Sequence, residues 1–157
     1  MTKSQRLKPV TRVAENREQG AALAMAEAQQ VLDEREARLN ELVGYRAEYH
    51  MRYKTASGVG MEAAQIQDYR HFIAKLDQAI SGQLALVEAA RNVHEEAKRQ
   101  WFATRSKSMA LGKVVTRYRH EEVRSAERRE QGEADERNQH LKPVTSLGGP
   151  NDEIEPD

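Results

Sequence analysis

The sequence predicts an all-α protein, a long antiparallel two-helix coiled-coil hairpin. Three observations carry that reading. Between Ile66 and Tyr118, a run at alternating steps of three and four continues with no stutter, and apolar or small residues fill most of it, with polar exceptions at Gln83, His94, Thr104 and Ser108. A second stripe of the same period occupies residues 7–53, and Gly58 and Gly60 lie between the two. A 3.5-residue period keeps an apolar seam on one side of a left-handed supercoil, and one such helix cannot bury its seam alone. Charged residues make up 32% of the 157 and hydrophobic ones 38%. That suits a thin-cored rod better than a compact globule. Ala, Glu, Arg, Gln, Leu and Lys dominate, all strong helix formers, and alternating strand patterns are absent.

The first helix is expected over residues 7–56, starting near Pro9, whose missing N–H costs nothing in a first turn. Its stripe reads Leu7, Val10, Ala14, Arg17, Ala21, Met25, Ala28, Leu32, Arg35, Leu39, Leu42, Arg46, Tyr49 and Tyr53. Such a helix is about 75 Å long. The bend, 57–65, holds the glycines and leaves room for one or two short helices. The second helix is expected over 66–131, with a seam through Ile73, Leu76, Ile80, Gln83, Val87, Ala90, His94, Ala97, Trp101, Leu111 and Val115. Past Tyr118 almost nothing is apolar, so the helix has no seam to bury there and projects or frays, with Gly132 a weak point. The hairpin unit spans 1–139, and 140–157 reads as a disordered acidic tail.

A short connection forces antiparallel packing. With the bend near position 61, facing residues have numbers summing to about 122. Tyr53 then faces Tyr69, Leu42 faces Ile80, Leu32 faces Ala90, Ala28 faces His94, and Ala21 faces Trp101. Large faces small in several layers. Full burial of Ile73 and Ile80 in that seam would make truncation of either cost ~2–5 kcal/mol.

Zero net charge hides segregation. Residues 1–20 carry five cations against two anions, and residues 101–130 carry eight against four. Both segments fall at the open end of the hairpin, which is therefore basic. Residues 131–157 carry two cations against seven anions.

Several function classes find no support. There is no cysteine, and none of the five histidines pairs with another at helical spacing, which argues against a metal site within one helix. Gly58-Val59-Gly60 is no phosphate loop. The pairs Glu95-Glu96 and Glu121-Glu122 read as solvated faces rather than tuned acids, and a two-helix rod encloses no pocket. No enzyme activity and no cofactor are expected. Glutamates interspersed among Arg124, Arg128 and Arg129 argue against nucleic acid. No apolar run spans a membrane and the start lacks a signal peptide, so a soluble cytoplasmic protein is expected.

One feature is surplus to the seam. Tyr45, Phe72 and Ala79 lie beside the seam, and with the seam residues Leu42, Tyr49 and Leu76 they make two sets, Leu42, Tyr45 and Tyr49 against Phe72, Leu76 and Ala79, that come to the same height. Together they form an apolar strip near the bend, with Gly44 beside it. Two readings fit: a docking patch on an otherwise charged rod, or residues that flank and cover the seam.

The segments ELVGYRAEY before a glycine-rich bend and YRHFIAKLDQAI after it, with the LKPV start, the single Trp101 and the charged end, resemble the flagellar export protein FliJ family. The resemblance implies a stalk in the flagellar type III export apparatus, cytoplasmic and peripheral to the inner membrane at the flagellar base. The open end would insert into the export ATPase hexamer and promote its assembly, and Arg6, Leu7, Arg12, Lys113, Arg117 and Arg124 are the candidate contacts. The cytoplasmic part of the membrane export gate would meet Leu42, Tyr45, Tyr49, Phe72, Leu76 and Ala79. Two further positions would fall at Arg38, a departure in charge from the family, and Gln83. Chaperones of late export substrates are further implied partners. The competing reading is a coiled-coil adaptor or chaperone for exported proteins with no ring partner.

Overall fold

The computed structural model describes residues 1–141. They form two helices, α1 over Lys3–Ser57 and α2 over Ala63–Leu141, packed against each other along most of α1. This is the expected antiparallel hairpin. At ~1.5 Å per residue, α1 is about 82 Å long and α2 about 118 Å.

The register agrees with the facing pairs. Tyr53 stacks on Tyr69 with ring centroids 3.8 Å apart, and Leu32 packs with Val87 and Ala90. The amide of Gln83, a polar seam residue, donates to the backbone oxygen of Arg35 across the interface at 3.0 Å. A buried side chain bonded to one particular carbonyl penalises a slipped register, because slippage leaves its amide unpaired.

Every seam position of α2 from Ile66 to Tyr118 is buried or half-buried, and Val114 alone joins them from outside the seam. On α1 the phase differs in part. Val10, Arg17, Arg35 and Arg46 face solvent, while Thr11, Glu18 and Glu36 turn partly inward. The apolar character of Val10 is misleading, because stepping back from Ala21 and Ala14 continues the seam through Thr11, Leu7 and Ser4. Thr11 tolerates the position because its hydroxyl donates to the Leu7 carbonyl at 3.0 Å. The core is thin: Leu32, Leu42, Val87 and Val115 are its buried large residues, and among the described residues no side chain is completely sealed.

The boundaries differ from those expected in four places. Helix α1 begins at Lys3, not near Pro9, which lies inside it. Thr2 caps it: its hydroxyl accepts from the Gln5 N–H at 3.3 Å and the Gln5 side chain accepts from the Thr2 N–H at 3.1 Å. This reciprocal box satisfies donors that a helix start leaves orphaned. The bend is only 58–62 and contains no short helix. Gly60 turns the chain at φ +97°, a backbone conformation that a Cβ disfavours. The Gln65 side chain then accepts from the Glu62 N–H at 3.2 Å and starts α2 three residues early.

At the far end α2 runs through Gly132 to Leu141, ten residues past the expected stop. One glycine costs about 1 kcal/mol in a helix interior, and the Ala, Glu and Arg around it outweigh that. His140 and Leu141 are thus helical, and the rest of the expected tail, 142–157, lies outside the described residues.

Candidate functional site

The bend end carries an aromatic ladder. Tyr53 stacks on Tyr69, Tyr69 lies 6.1 Å from Tyr49, and Tyr49 meets Phe72 at 4.2 Å, so the rings alternate between the helices. His50 Nδ1 and the Tyr69 hydroxyl are 3.0 Å apart, which ties α1 to α2 at the same height. Helical spacing explains the ladder: Tyr49 and Tyr53 lie one turn apart on α1, as Tyr69 and Phe72 do on α2. Stacking supports the rings from beneath while one edge remains wet. Tyr45 is 52% exposed, Phe72 39% and Tyr49 36%. Ala79 is exposed, Leu76 is half-buried, and Leu42 is buried in the seam. The expected strip is therefore brought together, but Leu42 underlies it rather than forming its surface. Tyr53 and Tyr69, read from sequence only as seam residues, belong to the same aromatic cluster.

Beside the ladder, Arg46 Nε donates to Asp77 Oδ1 at 2.6 Å. That hydrogen bond, reinforced by the charge of Asp77, raises the Arg46 pKa further above its ordinary value. Gly44 has nothing within 4 Å of where a Cβ would sit, so no neighbour in the chain itself requires glycine there.

The open end brings the other candidate residues together. Arg6, Arg12, Lys113, Arg117 and Arg124 are exposed, and Leu7 is half-buried. Among the described residues none of these five cations joins an ion pair, although seven ion pairs occur elsewhere. The Lys3 ammonium sits over the Tyr118 ring at 5.5 Å and the Arg117 guanidinium at 5.7 Å.

Glu122 has a role the sequence reading did not give it. One carboxylate oxygen accepts from the Ser4 N–H at 2.9 Å and the other from the Ser4 hydroxyl at 2.7 Å. These bonds, from backbone and then side chain, hold its pKa below the usual glutamate range. The acid thus fastens the start of α1 to α2 instead of lying on a solvated face. Its spacing gave a signal, since Glu122 is four residues beyond the last seam tyrosine and Ser4 three before Leu7. From Val123 onward every described residue of α2 is exposed, and the helix projects alone past the tip.

No described helix is long and apolar enough to cross a membrane. Among the described residues no group of three His, Asp or Glu side chains is placed to hold a metal ion. In comparisons with known proteins, no curated protein and no solved structure matches the chain. The family model described as "Flagellar FliJ protein" matches residues 2–142. The chain belongs to the flagellar FliJ protein family, a component of the flagellar export apparatus.

Proposed function

We propose that this chain is the non-enzymatic stalk of the export apparatus, with a different partner at each end. The observation that carries the reading is the segregation of its surfaces. An exposed aromatic shoulder at Tyr45, Tyr49 and Phe72 lies near the bend, and unpaired cations cluster at the open end. Tyr45 and Arg6 are 39 residues apart on one helix, a separation of about 60 Å. Such a rod can bridge two bodies without letting them touch.

The open end would enter the ring of the export ATPase hexamer. Arg6, Arg12, Lys113, Arg117 and Arg124, with Leu7 beneath them, would meet an acidic or polar lumen. Exposed charges of this kind steer and select a partner more than they add affinity. The shoulder would dock on the cytoplasmic part of the membrane export gate. Tyr45 and Phe72 supply the large, rigid contacts typical of binding hot spots, and Leu76 and Ala79 complete the strip. Chaperones of late export substrates would be further partners, and the site of action would be the cytoplasmic face of the flagellar base. The hairpin would act as one unit through the end of α2 at Leu141, with the acidic stretch 142–157 following it.

ATPase activity of the cognate ring, measured with and without the chain, tests the stalk reading. Stimulation is expected. No stimulation at saturating chain would leave the adaptor reading, in which the hairpin binds exported proteins without a ring.

A further inference from the structure

The two long edges of the rod differ in charge. On one edge of α2, every seventh residue reads Phe72, Ala79, Leu86, Val93, Gln100 and Lys107. The row facing the same side from α1 reads Val10, Arg17, Ala24, Val31, Arg38 and Tyr45. Heptad rows stay on one side of a left-handed pair. The groove walls agree with that assignment, since Ala24 and Val93 line one stretch of the groove and Val10 and Lys107 line the next. Neither row contains a carboxylate.

The opposite edge is built differently. There Asp77 and Arg91, two heptads apart on α2, pair across to Arg46 at 2.6 Å and Glu36 at 3.7 Å. These are the only ion pairs between the helices among the described residues. One edge is therefore latched by charge and the other is open. On the open side Val93 is 61% exposed, Val13 50%, Val31 45% and Leu86 43%. Ala21, Ala24 and Ala97 floor the groove and let another helix approach closely. The acid at its rim, Glu96, is already engaged by Arg99 at 3.2 Å and Gln100 at 3.3 Å. Arg17 and Lys107 have no ion-pair partner among the described residues.

We propose that this groove, from Val10 to Val31 on α1, docks one acidic amphipathic helix of another protein as a third helix. Val10 and Val31 are 21 residues apart, about 32 Å, or three heptads. The apolar stripe of the incoming helix covers Val13, Val31, Leu86 and Val93, and its flanking carboxylates meet Arg17 and Lys107. A second copy of this chain is a poor occupant, because pairing two such edges places cations against cations. The groove stands apart from the aromatic shoulder of the proposed function, since Val31 and Tyr45 are 14 residues apart, about 21 Å, while its Val10 end adjoins the open-end cation Arg12.

The probe is a designed 21-residue helical peptide of three heptads, with Leu along its seam and Glu flanking it, labelled with fluorescein. Anisotropy against the full chain is expected to show saturable binding that weakens with salt. A peptide with Lys for each Glu is expected to bind at least ~10-fold more weakly, because like charges then face each other. Val93→Glu, at an exposed position, is expected to weaken binding at least ~10-fold while the chain melts as wild type does. The Tyr45→Ala, Phe72→Ala double variant is expected to bind the peptide unchanged, which separates this proposal from the gate reading. Absence of saturable binding, equal binding of the Lys peptide, or indifference to Val93→Glu overturns it. So does self-association of the chain in sedimentation that Val93→Glu abolishes.

Discussion

Leu32 is the residue whose removal most directly probes the hairpin. It is 7% exposed and packs with Val87 and Ala90 of α2, and with Leu39 one heptad along its own helix. Truncation to Ala removes three carbons from the middle of the thin core. Leu→Ala changes in well-packed cores cost 2–5 kcal/mol, and the cost is lowest where neighbours can close the gap. Two helices can move toward each other more easily than a globule can contract. The expected loss is therefore about 2.5 kcal/mol, which for a chain of this length lowers Tm by roughly 5–10 °C. Leu84→Ala is the matched control, because Leu84 is 53% exposed. It should cost less than about 0.5–1 kcal/mol. Urea titration followed by helical circular dichroism reads both variants, with m unchanged and the midpoint shifted for Leu32→Ala. Equal midpoints for the two variants would refute the packing described here, since the buried and exposed leucines would then be equivalent.

Other outcomes follow from the same geometry. Ile73 and Ile80 are half-buried rather than fully buried, so each truncation to Ala should cost ~1–2.5 kcal/mol by denaturation, below the range for a sealed core residue. Gly44→Ala should raise stability by about 1 kcal/mol, because a helix interior favours Ala and no atom lies within 4 Å of the new Cβ. If gate binding is lost at the same time, the glycine serves close approach of the partner. The folded-state pKa of Glu122 is lowered, so its contribution to stability is present above the ordinary value of 4.5 and is lost as pH falls through the lowered one. The Ser4 amide proton shift should therefore titrate with a midpoint below 4.5, and Glu122→Gln should abolish the titration. A midpoint at the ordinary value contradicts the capping role.

Much of this fold is written in the seam of α2, where an unbroken run from Ile66 to Tyr118 leaves one side to bury and one partner to bury it. The partner stripe on α1 was less legible at its N-terminal end. Small and charged residues there make positions 10 and 11, or 17 and 18, nearly equivalent by composition, and packing decides between them. The helix start escaped because Pro9 suggests an N-terminus while the actual cap is the pairing of Thr2 with Gln5. Its fastening is a contact across 118 residues, between Ser4 and Glu122, and the only sequence signal for it is that both continue the seam spacing beyond Leu7 and Tyr118. The far end of α2 escaped for the opposite reason: a helix with no seam is held only by local propensity, and one Gly does not overcome it. The aromatic strip was visible as surplus to the seam. Burial of Leu42 followed from its place in the α1 seam, whereas the stacking of Tyr53 on Tyr69 and of Tyr49 against Phe72 depends on ring orientations that spacing does not fix.

In the proposed function, the two ends of one rod serve different partners. The direct test is a pull-down from cells with the full chain as bait, wild type beside the Tyr45→Ala, Phe72→Ala double variant. Wild type is expected to recover both the hexameric ATPase and the integral-membrane gate protein. The variant, melting close to wild type, is expected to keep the ATPase and lose the gate. Loss of both partners, or retention of both, would contradict the assignment of separate ends to separate partners.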